Sequence, residues 1–466
     1  MGNDTFRIAF VSGKLGDVDG VSLEVDKWIE VLKEQGHEIW TVSGLYRQPV
    51  AGVPEDRQIL LESISFDSSE QEYFENLVFP YLSKRPPHFT EARMAEIQAE
   101  LETAGAEVGN KLYEIIQDHN IDVIIAENTN AMPMSLLGAI AVYRVATMRR
   151  VATIFHHHDF WWERSRFSEN YIESLLNRIM PPTDLGTEHV VISSYASHIL
   201  KSIKRVNPKV VPNCEDFDRP VVRDDWNSDF RTELGFSEDD LLIVQPTRIV
   251  PRKRIEDSVR LVGRFMEAYP DLAPRVQFIV SLYQGDELDG SYVDEIQGLA
   301  HRLGVRMHLI SDRVTSCRDR DDEGRKRYTT RDVLVHADLA TYLPVWEGFG
   351  NAFLEAVSCR VPIVTTTYLV YKTDIQGSGF RVPEVRDRYD ADGRLEIPDD
   401  VLEEMHRILT DRAYRDEIVE HNFRVGAREF GFSALRSCLA NLMVEYADEI
   451  RASRRRLAKS LTSYFV

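Results

Sequence analysis

The 466-residue chain has four cysteines, Cys214, Cys317, Cys359 and Cys438, and no two of them form a Cys-x-x-Cys pair. That excludes a disulfide scaffold and the common zinc ribbons, and makes a reducing cytoplasm the expected home. Long apolar runs are missing too. The longest, "LLGAIAVY", is far shorter than the roughly 20 residues that cross a bilayer. The start "MGNDTFRIAF" has no basic segment followed by an apolar one, and Phe6 stands where a myristoylation signal needs Ser or Thr, so no targeting segment is expected. Positive charge is scarce: Lys and Arg number 56 against 76 Asp and Glu, a net −20. Surfaces that track nucleic acid are strongly basic, so no nucleic-acid partner is expected. No Gly-x-Gly-x-x-Gly follows the first apolar run and no P-loop Lys-Ser/Thr occurs, which removes the two commonest nucleotide fingerprints.

What the chain does have is alternation. Short β-branched runs ("RIAFVS", "HEIWTVS", "DVIIAEN", "VATIFHHH", "HVVISS") are separated by amphipathic helical patterns, the signature of parallel sheets covered by helices. The stretch "VVPNCEDFDRPVVRDDWNSDF", with two prolines and many acids, reads as a linker. A second series then starts with "LLIVQPT" and runs through "VQFIVSLY", "MHLISD", "DLATYLP" and "VPIVTTT". The expected architecture is therefore α/β, with two Rossmann-like domains facing across a cleft, residues 1–217 and 218–432. A C-terminal helix and tail, 433–466, would pack back on the first domain. Ligands of open α/β sheets bind beyond the carboxyl ends of the strands, so motifs at strand ends carry the functional reading.

Two such motifs lie in the second half. "VWEGFGNAFLEAV" sets Glu347 and Glu355 around the turn Gly348-Phe349-Gly350-Asn351, just where a helix begins. Glycine exposes backbone N–H groups, and a helix start attracts anions. The flanking acids would repel a bare phosphate, so a ligand carrying hydroxyls as well as negative charge fits better. "QPTRIVPRKRIED" places Arg248 and Lys253 between a strand and a helix, where two fixed cations can neutralise a diphosphate without a metal. A solvated basic turn and an ordinary acidic helix start are the plain alternatives.

Arg248 and Lys253, followed by Glu347 and Glu355 in Glu-x7-Glu spacing, resemble the retaining glycosyltransferases of family 4, which have the GT-B fold. "DGVSLEVDKW", "HHHDFWWE", "VVISSYASHIL" and "VVPNCEDFD" resemble further segments of that family in the same order, so the likeness spans about residues 6 to 450. The resemblance implies that Arg248 and Lys253 hold the donor diphosphate, Glu355 the ribose, and Glu347 with Gly348 to Asn351 the sugar. It also implies that Gly20 approaches the phosphate and that His158 lies near the sugar and acceptor. Asp19 departs from the commoner glycine before Gly20, and Cys214 from the glycine after Pro-Asn.

In "FHHHDFWWERSRF", alternation along a strand lets His156 and His158 share a face while His157 points away. A zinc site needs further ligands, which the sequence does not locate. His158 and Asp159 read as active-site groups, Trp162 beside Trp161 as a sugar-stacking wall, and Arg164 with Arg166 as a fork for an anionic acceptor. The triplets Asp17-Val18-Asp19 and Asp216-Phe217-Asp218 read as incidental, so no metal and no cofactor is expected. The basic tail "RASRRRLAKSLTSYF" reads as a solvated last helix, the alternative being contact with an anionic membrane surface.

The expected activity is retaining, metal-independent transfer of a sugar from a nucleoside diphosphate donor to a hydroxyl acceptor. That acceptor is expected to be small and anionic, a sugar acid or sugar phosphate of compatible-solute synthesis. A sugar-nucleotide epimerase, a lipid-acceptor transferase and a non-catalytic subunit are the alternatives. The donor base, the acceptor's identity and the oligomeric state are not readable.

Overall fold

The computed structural model describes residues 5–17, 19–80, 88–282 and 290–462. The chain divides into two compact units, one made of residues 1–212 with 435–466 and the other of residues 213–434.

The first unit is built on seven strands: β1 (Arg7–Ser12), β2 (Glu38–Ser43), β3 (Gln58–Leu60), β4 (Val123–Glu127), β5 (Ala152–His157), β6 (Glu188–Val191) and β7 (Lys209–Val210). They lie parallel in the order β3-β2-β1-β4-β5-β6-β7. The runs that form β1, β4 and β5 are apolar almost throughout because helices cover both faces of such a sheet. Close helix packing is written in small residues: a Cβ at Gly105, in the helix Glu91–Asp118, would come within 2.6 Å of Ile140 in the helix Leu136–Thr147. The helix Gly20–Glu34 follows β1 and is capped by Asp19, whose carboxylate accepts from the N–H groups of Val21 and Ser22. That accounts for an acid before Gly20, since a capping acid is worth about 1 kcal/mol.

The last helix, Phe432–Thr462, returns from Leu435 onward to the first unit. Its Ser453 and Tyr446 hydroxyls accept from the N–H groups of Ala152 and Thr153 at the start of β5. Arg454 pairs with the buried Asp122 at 2.5 Å, and Arg456 donates to the Arg150 carbonyl and pairs with Glu449. Much of the tail's positive charge thus goes into packing; its end, residues 463–465, lies outside the described residues. Among the described residues no helix is long and apolar enough to cross a membrane.

The second unit has β8 (Leu241–Gln245), β9 (Val276–Val280), β10 (Met307–Leu309), a small antiparallel pair β11 (Asp319–Arg320) and β12 (Lys326–Arg327), then β13 (Leu339–Tyr342), β14 (Ile363–Thr366) and β15 (Glu384–Val385). Its main sheet is parallel, in the order β10-β9-β8-β13-β14-β15. From Asn213 onward, the stretch expected to be a linker is instead a packed part of this unit. The Glu215 N–H donates to the Phe430 carbonyl at 2.8 Å, and the Phe217 ring meets Phe423 edge-on at 5.3 Å. Gly426 leaves room for Phe217, since a Cβ there would lie 2.5 Å from the ring. Its acids, which read as solvating charge, close local turns: Asp216 accepts from the N–H groups of Asp218 and Arg219, and Asp224 from those of Trp226 and Asn227.

Candidate functional site

In the second unit, β8 ends at Gln245 and the chain makes a single tight turn, Pro251–Lys253, before the helix Ile255–Ala268. Arg254 joins turn to helix in the left-handed region, at φ 51°. This short connection aims Arg252 and Lys253 at one carboxylate. Arg252 Nη1 lies 2.8 Å from Glu347 Oε1, and Lys253 Nζ contacts the same oxygen. The two loops are also stitched by backbone, with the Val345 N–H donating to the Arg252 carbonyl at 3.1 Å. Burial would raise the Glu347 carboxyl, but the charges of Lys253 and Arg252 hold it below the usual carboxylate range. Burial likewise pushes the Lys253 ammonium down to about 8; Glu347 opposes that shift, and the neighbouring arginines reinforce it. Glu347, expected as a contact for sugar hydroxyls, is thus also the anchor that places two cations, and Arg252 is a member of the site that the sequence reading passed over. Arg248 precedes the turn, half-buried.

After Glu347 the chain runs through Gly348 and Phe349 to Gly350, which stands before the helix Asn351–Ser358 with no side-chain cap on its first N–H groups. A Cβ at Gly350 would lie 2.4 Å from the Tyr368 hydroxyl, and φ there is +157°. Tyr368 is fully buried and donates to the Phe349 carbonyl at 2.7 Å. The Phe349 ring turns into the core against Phe430, so its side chain does not supply the donor contact expected of this residue. Asn351 accepts from the buried Asn213 amide at 2.8 Å, which explains the Pro-Asn at the start of this unit. Glu355 sits one turn further along the helix, half-buried.

The first unit gathers a second group. Parallel register sets Glu127, the last residue of β4, beside His156 of β5. His156 Nδ1 lies 3.0 Å and His158 Nε2 3.3 Å from the same Glu127 oxygen. His157 points the other way, to His189 at 3.0 Å, as strand alternation requires. No third metal ligand beside His156 and His158 is evident from the sequence; the fold places Glu127 beside both, and the three form a group able to hold an ion. Asn128, with φ at 54°, accepts from the His158 N–H at 3.0 Å and donates to Asp159 at 2.9 Å.

The groups expected to meet an acceptor already have partners within this unit. Asp159 pairs with Arg164 Nη2 at 2.5 Å, and the Arg166 guanidinium lies over the Phe167 ring at 4.5 Å. Trp162 stacks on Phe160 at 4.7 Å, while the Trp161 N–H donates to the Met180 carbonyl. Gly20 is exposed at the start of its helix. Asp17 and Asp19 both pair with Lys14, at 2.9 and 3.1 Å, and Val18 between them lies outside the described residues.

Residues 227–376 match the family described as Glycosyl transferases group 1. The chain is 29% identical to the mannosylglucosylglycerate synthase of Thermotoga maritima, over 93% of this chain and 99% of that one. It is 28% identical to the mannosylglucosylglycerate synthase of Petrotoga mobilis, over 81% and 86%. Among solved structures, Anabaena Alr3699/HepE in complex with UDP and glucose shares the fold, with TM-score 0.59 and 16% identity over 94% of this chain and all of that one.

Proposed function

For a chain that is a glycosyltransferase of the GT-B fold, we propose the transfer of a mannosyl group, with retention, from a nucleoside diphosphate sugar to a small anionic glycoside of the glucosylglycerate type. The reaction would serve compatible-solute synthesis in the cytoplasm. The observation that carries the donor half is the convergence of Arg252 and Lys253 on buried Glu347, beside the uncapped helix start at Asn351. Fixed cations and oriented N–H groups stabilise a leaving diphosphate without waiting for solvent to reorganise. Arg248, Arg252 and Lys253 meet the phosphates, the backbone of Gly348 to Asn351 and the Glu347 carboxylate meet the sugar, and Glu355 takes the ribose. As the sugar–phosphate bond breaks, the acceptor hydroxyl bonds to the anomeric carbon and its proton passes to the departing phosphate oxygen.

The acceptor half rests on the likeness to two mannosylglucosylglycerate synthases along most of their length and on the basic residues His158, Arg164 and Arg166 that follow β5. His158 faces the acceptor there, with Asp159, Trp162, Arg164 and Arg166 around it. Arg248, Arg252 and Lys253, less the Glu347 carboxylate, leave a net positive charge that matches the diphosphate, so the reading includes independence from divalent metal at the donor phosphates. Incubation of the purified protein with GDP-mannose or UDP-glucose and glucosylglycerate, with products identified by NMR, tests it. An α-linked mannosyl product formed in EDTA is the expected result. Free sugar with no acceptor product, or activity restored only by Mg²⁺, overturns it.

A further inference from the structure

Tyr342, the last residue of β13, is 1% exposed and stands where the basic turn and the glycine turn of the second unit meet. Strand register puts it there. Ala340 pairs with Val244 of β8, so the end of β13 lies beside the strand whose following turn carries Lys253. The Lys253 Nζ lies over the Tyr342 ring, 5.2 Å from its centroid. The Tyr368 ring, which braces the glycine turn through the Phe349 carbonyl, meets Tyr342 edge-on at 5.9 Å, a favourable arrangement of two aromatic rings. Burial, and after it the charge of Glu347, raises the Tyr342 phenol well above its ordinary range, so the ring stays neutral. A lysine ammonium rides on a flexible four-carbon stem and has no preferred direction of its own. Glu347 alone would draw it onto the carboxylate. A π-face on a second side limits that movement and favours the cation without adding a counter-charge.

We propose that Tyr342 is a positioning residue whose ring face holds the Lys253 ammonium toward the donor diphosphate. This rests on the donor half of the transferase reading and deepens it, since Tyr342 acts through Lys253 and need touch no ligand. The charged groups facing Lys253 are Glu347 from the loop after β13, Arg252 from its own turn and Arg248 from the loop after β8. Burial and the two arginines disfavour the ammonium, whereas Glu347 favours it; the ring is a further favourable contact that carries no charge.

A series at position 342 that alters the π-face and little else tests the assignment. Tyr342→Phe removes the hydroxyl and keeps the ring. Mono-, di- and trifluorinated forms of that phenylalanine then drain the ring face stepwise at nearly constant shape, so loss of folding does not confuse the result. The pH midpoint of the Lys253 ammonium is read by NMR of lysines labelled with carbon-13 at Cε, its signal identified by its loss in Lys253→Arg. Tyr342→Phe should leave the midpoint near that of the wild type. Across the fluorinated series it should fall by about half a pH unit or more, as expected for loss of a cation–π contact. At pH 8 the calorimetric affinity for GDP and UDP should fall about two- to fivefold over the same series, while guanosine and uridine, which lack phosphate, bind alike throughout. A midpoint that ignores fluorine content, or that Tyr342→Phe alone moves as far as the whole series, overturns the proposal. A midpoint that follows fluorine in a protein binding neither GDP nor UDP sinks the donor reading and leaves this assignment standing. Diphosphate binding that is lost in Lys253→Ala yet indifferent to fluorine does the reverse.

Discussion

The clusters around Glu347 and Glu127 each set a buried carboxylate between two basic side chains, yet they are chemically opposite. Around Glu347 the bases are an arginine and a lysine delivered by a single tight turn. Around Glu127 they are two histidines fixed on a strand by parallel register. An arginine cannot shed its proton, so the Arg252 charge is permanent and suits a diphosphate ligand, while Lys253 gives up its charge only above about pH 8. A histidine sheds its proton readily, so neither ring of the first unit brings a permanent charge.

The largest effect should come from breaking the arginine–lysine cluster. Glu347→Ala leaves Arg252 and Lys253 facing each other in a buried site, and should cost about 3–5 kcal/mol of stability. Loss of the oriented cations should also lower kcat by about 10²–10³. Glu127→Gln should cost less, about 1–3 kcal/mol, because a histidine left without its carboxylate is stable as a neutral ring. Denaturant melts of both variants check the contrast, and equal losses would erase it.

Next in size is the backbone on which the donor cluster rests. Gly350→Ala brings a Cβ against the buried Tyr368 hydroxyl and should weaken nucleotide binding about tenfold or more, read by titration of the nucleoside diphosphate. Adding Tyr368→Phe removes the clashing atom and should restore part of that loss. If the double variant is no better than the single one, the close approach is not what requires glycine there.

A smaller effect separates the lysine from the arginines. The Lys253 ammonium, pushed down to about 8, is charged below that pH and neutral above it. Donor kcat/KM should therefore fall as pH rises through about 8, by about tenfold per unit beyond it. Lys253→Arg should remove this alkaline limb while lowering the plateau. A limb that persists in the variant belongs to another group.

The smallest effect falls on the ribose contact. Glu355→Ala should raise the donor KM about tenfold with kcat nearly unchanged, because ribose bonds alter little between ground and transition state. A comparable loss in kcat would place Glu355 nearer the reacting carbon than the helix Asn351–Ser358 suggests.

Much of this was legible in one dimension. Ten of the strands follow from short β-branched runs, since a strand buried on both faces must be apolar at nearly every position. Arg248, Lys253, Glu347 and Glu355 were readable as candidates because strand ends and helix starts announce themselves through glycine and proline. Arg252 lay in the same basic run but was indistinguishable from its neighbours, for which of three consecutive basic residues turns inward depends on the geometry of one turn. The stretch after Asn213 read as a linker because composition does not reveal whether acids meet water or close local turns.

By itself the sequence determined two α/β halves, the residue types of the candidate site in the second of them, and the separation of His157 from His156 and His158, all consequences of local periodicity and of backbone chemistry within a few residues. Only the tertiary structure decided that Glu127 stands beside His156, that Glu347 gathers Arg252 and Lys253, and that the last helix closes on the first unit around Arg454 and Asp122. Those contacts join residues from 29 to 332 positions apart. They depend on strand order, register and burial, which arise only when separate segments share one core and their charged groups must find partners inside it.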